Sequence, residues 1–140
     1  MVVEQLKIVV IGGVAAGPKA AARAKRCNPN AKVTLVEKGE WLSYGGCGLP
    51  YFLGATVKEL KDLMSTSWEA ERTPEFFKEA KDIDVLMGWE AVNIDRNKKA
   101  VQLINVKTQE AQELEYDKLV LATGADTLIP PIPGIDSLGV

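Results

Sequence analysis

The sequence predicts a Rossmann-like α/β fold, in which a parallel sheet begins with a βαβ unit and continues into a β-meander. Two β-branched runs, residues 6–11 and Lys32–Glu37, flank an Ala-, Lys- and Arg-rich stretch at 15–27, and this order predicts the βαβ unit. Three runs of alternating apolar residues between positions 91 and 115 predict the meander.

The other elements are marked by residues that start or stop helices. A helix is expected over 73–81, because Thr73 is a good N-cap and Pro74 suits the first helical position. A second helix is expected over 57–64, after residues 39–54, which are rich in glycine and aromatic residues and are expected to form an ordered loop and a short helix. Short strands are expected at 84–87 and 116–122.

The composition restricts the classes of function. With 140 residues, 46% apolar and 26% charged, the chain can form one packed domain and is too apolar for a disordered tail. The net charge of −2 shows no basic excess for nucleic acid, and no apolar run could cross a bilayer. Without a secretion signal, a cytoplasmic protein is expected. Two cysteines and no histidine predict neither a disulfide framework nor a metal site.

A glycine-rich loop lies between the first predicted strand and the first predicted helix. Its residues are Gly12, Gly13, Val14, Ala15, Ala16 and Gly17. In the dinucleotide fingerprint, Gly12 would permit the tight turn and Gly17 the packing of helix on strand, whereas Val14 replaces the usual second glycine. The helix N-terminus would hold a pyrophosphate, and Glu37 would accept hydrogen bonds from an adenosine ribose. The alternative is a tight βα turn beside a surface glutamate.

The last strand bears on which dinucleotide binds. Glu37 fits NAD as well as FAD. Thr123 and Gly124, directly after a strand that follows a meander, are typical of flavoproteins with two dinucleotide sites, whereas a simple dehydrogenase would continue with βα units. Any strand can end in a Thr-Gly turn, but together with the glycine-rich loop this one favours FAD.

Cys47 is the candidate for redox chemistry, and the alternative is a buried structural cysteine, which its glycine neighbours disfavour. Glycines on both sides leave its sulfur open to a flat ring or a substrate, and a short helix expected to start at residue 49 would stabilise a thiolate. Ser43 would either hydrogen-bond the sulfur or be a solvated loop residue. No second cysteine is near in sequence, so the partner sulfur would come from a substrate. Cys27, at a helix end, is expected to pack in the core.

Four motifs together resemble one enzyme family. They are Ile-Gly-Gly-Val-Ala-Ala-Gly at 11–17, Val-Glu-Lys at 36–38, Ser-Tyr-Gly-Gly-Cys-Gly-Leu-Pro-Tyr at 43–51 and Tyr-Asp-Lys-Leu-Val-Leu-Ala-Thr-Gly-Ala at 116–125. Over essentially its whole length the chain resembles the N-terminal, FAD-binding part of the single-cysteine pyridine nucleotide-disulfide oxidoreductases. This group contains coenzyme A-disulfide reductases, NADH oxidases and persulfide reductases, and valine at the second glycine position is usual in it.

The resemblance implies a flavoenzyme in which NAD(P)H reduces FAD and the flavin passes electrons to Cys47. The acceptor would be a disulfide or persulfide such as coenzyme A disulfide, bound as a mixed disulfide with Cys47. In an oxidase it would be oxygen, and Cys47 would cycle through a sulfenic acid. Lys38 and Ala91 would border the adenine of FAD, and Thr123 and Gly124 would contact the cofactor.

A coenzyme A site is also implied. Arg23 and Arg26 on the first helix, and Lys81 at the end of the Thr73 helix, would bind its phosphates. For each of them a solvated surface position explains the charge equally well. Gly46 stands where an asparagine is common in coenzyme A-disulfide reductases, so the resemblance leaves this substrate open.

Members of the family are considerably longer, so the resemblance implies that residues 1–140 are an incomplete FAD-binding segment of a larger, homodimeric enzyme. The NAD(P)H-binding and dimerisation domains would lie outside the chain, which alone would keep a partial flavin site without turnover. Apolar surface would be exposed where the rest of the flavin domain packs. The alternatives are a stand-alone flavin- or nucleotide-binding redox module and a short NAD-dependent dehydrogenase, which the missing Tyr-x-x-x-Lys motif disfavours.

Overall fold

A four-stranded parallel sheet and a three-stranded antiparallel meander form the fold, as the sequence predicts. The computed structural model describes residues 5–126, 128–135 and 137. In chain order the elements are β1 (Lys7–Ile11), α1 (Ala16–Cys27), β2 (Lys32–Glu37), α2 (Leu49–Leu53), α3 (Pro74–Lys81), β3 (Asp84–Met87), β4 (Trp89–Asp95), β5 (Ala100–Asn105), β6 (Ala111–Glu115) and β7 (Lys118–Leu121). The parallel sheet has the spatial order β3-β2-β1-β7, and the meander has the order β4-β5-β6.

Strand β1 separates two apolar clusters. Ile8 and Val10 point into one cluster, which contains the buried ring of Phe77 from α3 and small residues of α1. The alternate residues, Val9 and Ile11, belong to a second cluster with buried residues of β5. This alternation follows from the two-residue period of a strand, and it produces three layers: helices, parallel sheet and meander.

The helix predicted over 57–64 is wrong. Thr56 and Val57 donate backbone hydrogen bonds to the Tyr51 carbonyl, which ties them to the end of α2. Glu59 is extended and forms a capping box with Asp62, so only a 3-10 turn over Leu60–Met64 follows. No helix among the described residues is long and apolar enough to cross a membrane.

Cys27 is exposed, so the expectation that it packs in the core is also wrong. The buried residues of α1 lie between Gly17 and Ala22, where the helix packs on the sheet. Cys27 is the last residue of the helix, beyond this buried stripe. Leu121, at the end of β7, and Leu128, Ile129 and Ile132 after it are exposed apolar residues.

We predict that Phe77→Ala lowers the free energy of unfolding by about 3–5 kcal/mol, because the ring is 1% exposed and its removal leaves a cavity between α3 and the sheet. Phe76→Ala is the matched control, since Phe76 is the neighbouring residue on the same helix and is only partly buried. Phe76→Ala should lower the free energy of unfolding by less than half as much as Phe77→Ala. Equilibrium urea unfolding of both variants measures the difference, and equal losses would contradict this packing.

Candidate functional site

The glycine-rich loop joins β1 to α1 through two close backbone contacts. Gly12 has a φ of +105°, and a Cβ atom there would lie 2.2 Å from the carbonyl oxygen of Ala122, just after β7. A Cβ atom on Gly17 would lie 1.7 Å from the carbonyl oxygen of Gly12. Neither position can hold a side chain, so the roles that the fingerprint gives to these two glycines agree with the geometry.

The N-terminus of α1 is open to an anion. Its N-cap residue is Ala15, no side chain caps the helix, and no acidic residue occupies the first turn. Ala15 and Ala16 are exposed, whereas Val14 is partly buried. The first N–H groups of a helix have no partner within the helix and carry the positive end of its dipole. The arrangement therefore fits a pyrophosphate group.

Glu37, at the end of β2, is 8% exposed and lies against the glycine-rich loop. Its Oε2 accepts a hydrogen bond from the Gly13 N–H at 2.5 Å, and its Oε1 accepts one from the Gly39 N–H at 2.7 Å. A carboxylate has about four acceptor positions, so capacity remains for ribose hydroxyl groups. The backbone thus orients the side chain predicted to bind the ribose.

Gly13 is a site residue whose importance the fingerprint does not reveal. A Cβ atom there would lie 2.8 Å from the Cβ of Glu37 and 3.0 Å from Cδ1 of Leu42. The absence of a side chain lets Glu37 approach the loop closely enough to accept the N–H bond. The contact depends on how β2 lies beside β1, which a short motif does not describe.

Lys38 and Ala91, predicted to border the adenine, lie on adjoining elements. The ammonium group of Lys38 is 3.6 Å from Oε1 of Glu90, the residue before Ala91 in β4. Ala91 is partly buried, and the register of β4 against β5 shifts between Ala91 and Asn93. The exposed ion pair contributes little stability, but it shows that β4 approaches the end of β2.

Thr123 and Gly124 lie exposed beside the glycine-rich loop. The Ala122 N–H donates to the Ile11 carbonyl at 2.8 Å, which extends the β1–β7 pairing one residue past the end of β7. Gly124 has a φ of +76°, which favours glycine. The structure therefore brings the Thr-Gly turn to the same edge of the sheet as Gly12.

Cys47 is exposed in a 3-10 turn over Gly46–Gly48 that leads directly into α2; we call this segment the cysteine turn. The loop before it is attached to the glycine-rich loop, because the Ser43 N–H donates to the Gly13 carbonyl at 2.7 Å. Ser43 itself has a φ of +51°. No hydrogen bond joins Ser43 to Cys47 within the described part of the chain, so a catalytic role for Ser43 stays a prediction.

Lys81 lies in a cluster of positive charges. Its ammonium group is 5.3 Å from the ring centroids of both Phe76 and Phe77. Burial lowers the pKa of Lys81, and repulsion from Arg26, Lys19 and Arg72 lowers it further. A bound anion would stabilise the charged form of Lys81, because it would offset the repulsion from the neighbouring positive charges.

Two of these basic residues, Lys19 and Arg72, are not predicted as site residues from the sequence. Lys19 precedes Arg23 by four positions and Arg26 by seven, so helical periodicity could have added it to that face of α1. Arg72 lies far away in sequence, and no local pattern connects it with α1. Arg23 is exposed and does not contribute to the shift at Lys81.

Comparisons with known proteins agree with this arrangement. Residues 6–140 match the family model described as pyridine nucleotide-disulphide oxidoreductase. The chain is 38% identical, over 133 residues, to a coenzyme A disulfide reductase of Staphylococcus haemolyticus; the match covers 95% of this chain and 27% of that protein. A NADH oxidase of Methanocaldococcus jannaschii is 30% identical, with 96% of this chain and 29% of that protein covered.

Among solved structures, the NAD-dependent persulfide reductase of A. fulgidus superposes with a TM-score of 0.89 and 46% identity, covering 96% of this chain and 24% of that chain. A water-forming NADH oxidase of Lactobacillus brevis superposes with a TM-score of 0.81 and 29% identity, covering 95% of this chain and 28% of that chain. The chain thus spans about a quarter of the length of these relatives. Because the family model matches residues 6–140, the chain belongs to the pyridine nucleotide-disulphide oxidoreductase family.

Proposed function

We propose that this chain is the FAD-binding segment of an NAD(P)H-dependent flavoenzyme that reduces a disulfide or persulfide, such as coenzyme A disulfide, through Cys47. One observation carries the proposal: Gly13 connects the anion-binding loop both to Glu37 and to the loop that precedes Cys47. A dinucleotide bound on the loop would therefore lie next to an exposed thiol. The names of the relatives support the same chemistry. The NAD(P)H-binding and dimerisation domains of the enzyme would lie outside these 140 residues.

Different residues of the site would bind different parts of FAD. The N-terminus of α1 would hold the pyrophosphate, and Glu37 the adenosine ribose. Lys38 and Ala91 would flank the adenine, while Thr123 and Gly124 would close the other side of the loop. When bound, FAD supplies the electrons, taken from NAD(P)H, that reduce an oxidised sulfur at Cys47.

Cys47 would react as a thiolate with the substrate. The thiolate attacks one sulfur of a disulfide, a new S–S bond forms, the substrate's S–S bond breaks, and the second substrate sulfur leaves as a thiolate. Cys47 is exposed, so a substrate can reach it. Cys27 is at the far end of α1 from the glycine-rich loop, so it is not placed to pair with Cys47, and a substrate would supply the second sulfur.

The substrate's anionic groups would be bound by the basic cluster. Lys81 and Arg26 already repel one another, and the phosphates of coenzyme A would neutralise both. Arg23, on the same helix, would extend this surface. The second candidate acceptor is oxygen, which the NADH oxidases among the relatives favour. A redox module that binds flavin without turnover is the third.

We predict that the purified chain binds FAD and does not catalyse steady oxidation of NADH or NADPH. Titration with FAD, followed by flavin fluorescence, measures binding, and absorbance at 340 nm measures turnover. Gly17→Ala should weaken FAD binding at least about tenfold, because the added methyl group collides with the Gly12 carbonyl and displaces the loop. Gly54→Ala, at the end of α2, is the matched control and should bind as the wild type does.

Steady turnover by the chain alone would contradict the placement of the NAD(P)H site outside it. Equal FAD affinity of Gly17→Ala, Gly54→Ala and the wild type would contradict binding at the glycine-rich loop. Circular dichroism of each variant separates loss of binding from loss of fold.

We predict that Lys81→Met slows mixed-disulfide formation between Cys47 and coenzyme A disulfide about fivefold or more, because a charge-assisted contact with a phosphate is lost. The rate with 2-hydroxyethyl disulfide, which carries no phosphate, should stay within about twofold. Mass spectrometry of the Cys47 peptide follows both reactions. Lys58→Met, at an exposed position outside the cluster, is the control. Equal slowing with both disulfides would show that Lys81 does not recognise the anion.

A further inference from the structure

We propose that Arg72 is a positioning residue for Cys47: its guanidinium group holds the backbone carbonyls of Leu63 and Met64, and the cysteine turn packs against Leu63. The inference rests on the proposed function only in taking Cys47 as the reacting group. Arg72 lies outside every motif identified in the sequence, and it reaches Cys47 through Leu63 rather than by direct contact.

The guanidinium group binds the end of the Leu60–Met64 turn at two points. Nε of Arg72 donates to the Met64 carbonyl at 3.0 Å, and Nη2 donates to the Leu63 carbonyl at 3.1 Å. The backbone N–H of Arg72 also donates to the Met64 carbonyl, at 2.9 Å. A planar, rigid fork of donors suits two adjacent carbonyls, and lysine cannot reproduce it.

Leu63 in turn contacts Gly45, the N-cap residue of the cysteine turn, and Gly48, its last residue. Its carbonyl accepts a hydrogen bond from the Gly45 N–H at 2.7 Å. Its side chain lies over Gly48, where a Cβ atom would be 2.4 Å from Cδ2 of Leu63. The turn is closed by a bond of 2.8 Å from the Gly48 N–H to the Gly45 carbonyl. Cys47 therefore lies in a turn whose N-cap residue and last residue both contact Leu63.

The Leu60–Met64 turn needs support from outside. A 3-10 helix has poorer hydrogen-bond geometry than an α-helix, and its last carbonyls have no partner within the helix. Arg72 supplies partners for two of them. An isolated antiparallel β-bridge pairs Ser65 with Glu71. It places the next residue, Arg72, beside the end of the Leu60–Met64 turn. Arg72 is partly buried, which strengthens these charged hydrogen bonds compared with an exposed side chain.

A different role for Arg72 makes different predictions. Arg72 contributes to the positive field at Lys81 and lines a cleft of about 430 Å³, so it could act as an anion ligand. In that role its removal would weaken reactions with anionic substrates and leave the cysteine turn unchanged. In the positioning role, the turn itself would loosen, whether or not an anion is present.

The experiment compares Arg72→Met and Arg72→Lys with Arg96→Met, a control at an exposed arginine in the turn between β4 and β5. Amide hydrogen exchange, measured by NMR without substrate, reports on the Gly45 N–H. We expect its exchange to become at least about tenfold faster in Arg72→Met, to be intermediate in Arg72→Lys, which keeps one donor group, and to be unchanged in Arg96→Met. Amides of β1 should be unaffected in all three.

Alkylation by iodoacetamide reports on the sulfur, because the Cys47 thiolate forms an S–C bond and displaces iodide. Cys27 is exposed on the same chain and serves as the internal reference. We expect the ratio of the Cys47 rate to the Cys27 rate to fall at least about threefold in Arg72→Met, since a loosened turn presents the sulfur less often, with partial rescue in Arg72→Lys.

Unchanged Gly45 exchange and an unchanged alkylation ratio would overturn the proposal, even if the reaction with coenzyme A disulfide slowed; Arg72 would then be an anion ligand. If Arg72→Met does not fold, Arg72→Lys decides, because intermediate values are expected only from a positioning role. FAD affinity, measured on the same samples, should stay within about twofold of wild type. Failure of the wild type to bind FAD would therefore count against the proposed function and not against this inference.

Discussion

The carboxylate of Glu37 accepts hydrogen bonds from Gly13 and Gly39, and this buried contact holds three segments together. Through Gly13 it fixes the glycine-rich loop, whose carbonyl in turn binds the Ser43 N–H and so fixes the chain that leads to Cys47. Through Gly39, the second residue after β2, it fixes the start of that chain. A buried carboxylate is costly unless its oxygens are hydrogen-bonded, so the pairing makes the placement of all three segments one interdependent unit.

The sheet order explains why these segments meet where they do. Strand β1 lies between β2 and β7. The chain continues from β1 to β2 on one side, and its last strand, β7, pairs with the other side of β1. A crevice opens at such a switch point, beyond the carboxyl ends of the strands. The glycine-rich loop, Glu37 and the Thr-Gly turn all follow strand ends at this edge. The cysteine turn belongs to the long segment between β2 and β3. Leu63 contacts this turn, and Arg72 binds the Leu63 carbonyl.

Local signals were sufficient for the parts of the fold that local sequence controls. The βαβ unit, the meander and the Thr73 cap were predicted correctly, since each depends on periodicity or on one residue beside its own helix; the Thr73 hydroxyl does accept the Phe76 N–H. The two failures have different causes. The segment at 57–64 was redirected by bonds from Val57 to Tyr51, and Cys27 lies past the buried stripe of α1. The roles of Gly13 and Arg72 depend on contacts between distant segments, which composition and spacing do not encode.

The most direct test of the account compares FAD with riboflavin, which lacks the pyrophosphate and the adenosine, in an NMR titration of the chain. If the N-terminus of α1 and Glu37 bind the dinucleotide, FAD will shift the backbone amide signals of Ala15, Ala16 and Gly17 together with those of Gly13 and Gly39. Riboflavin at the same concentration will leave these signals in place. Equal shifts with both compounds, or FAD shifts confined to residues away from the glycine-rich loop, would contradict the account.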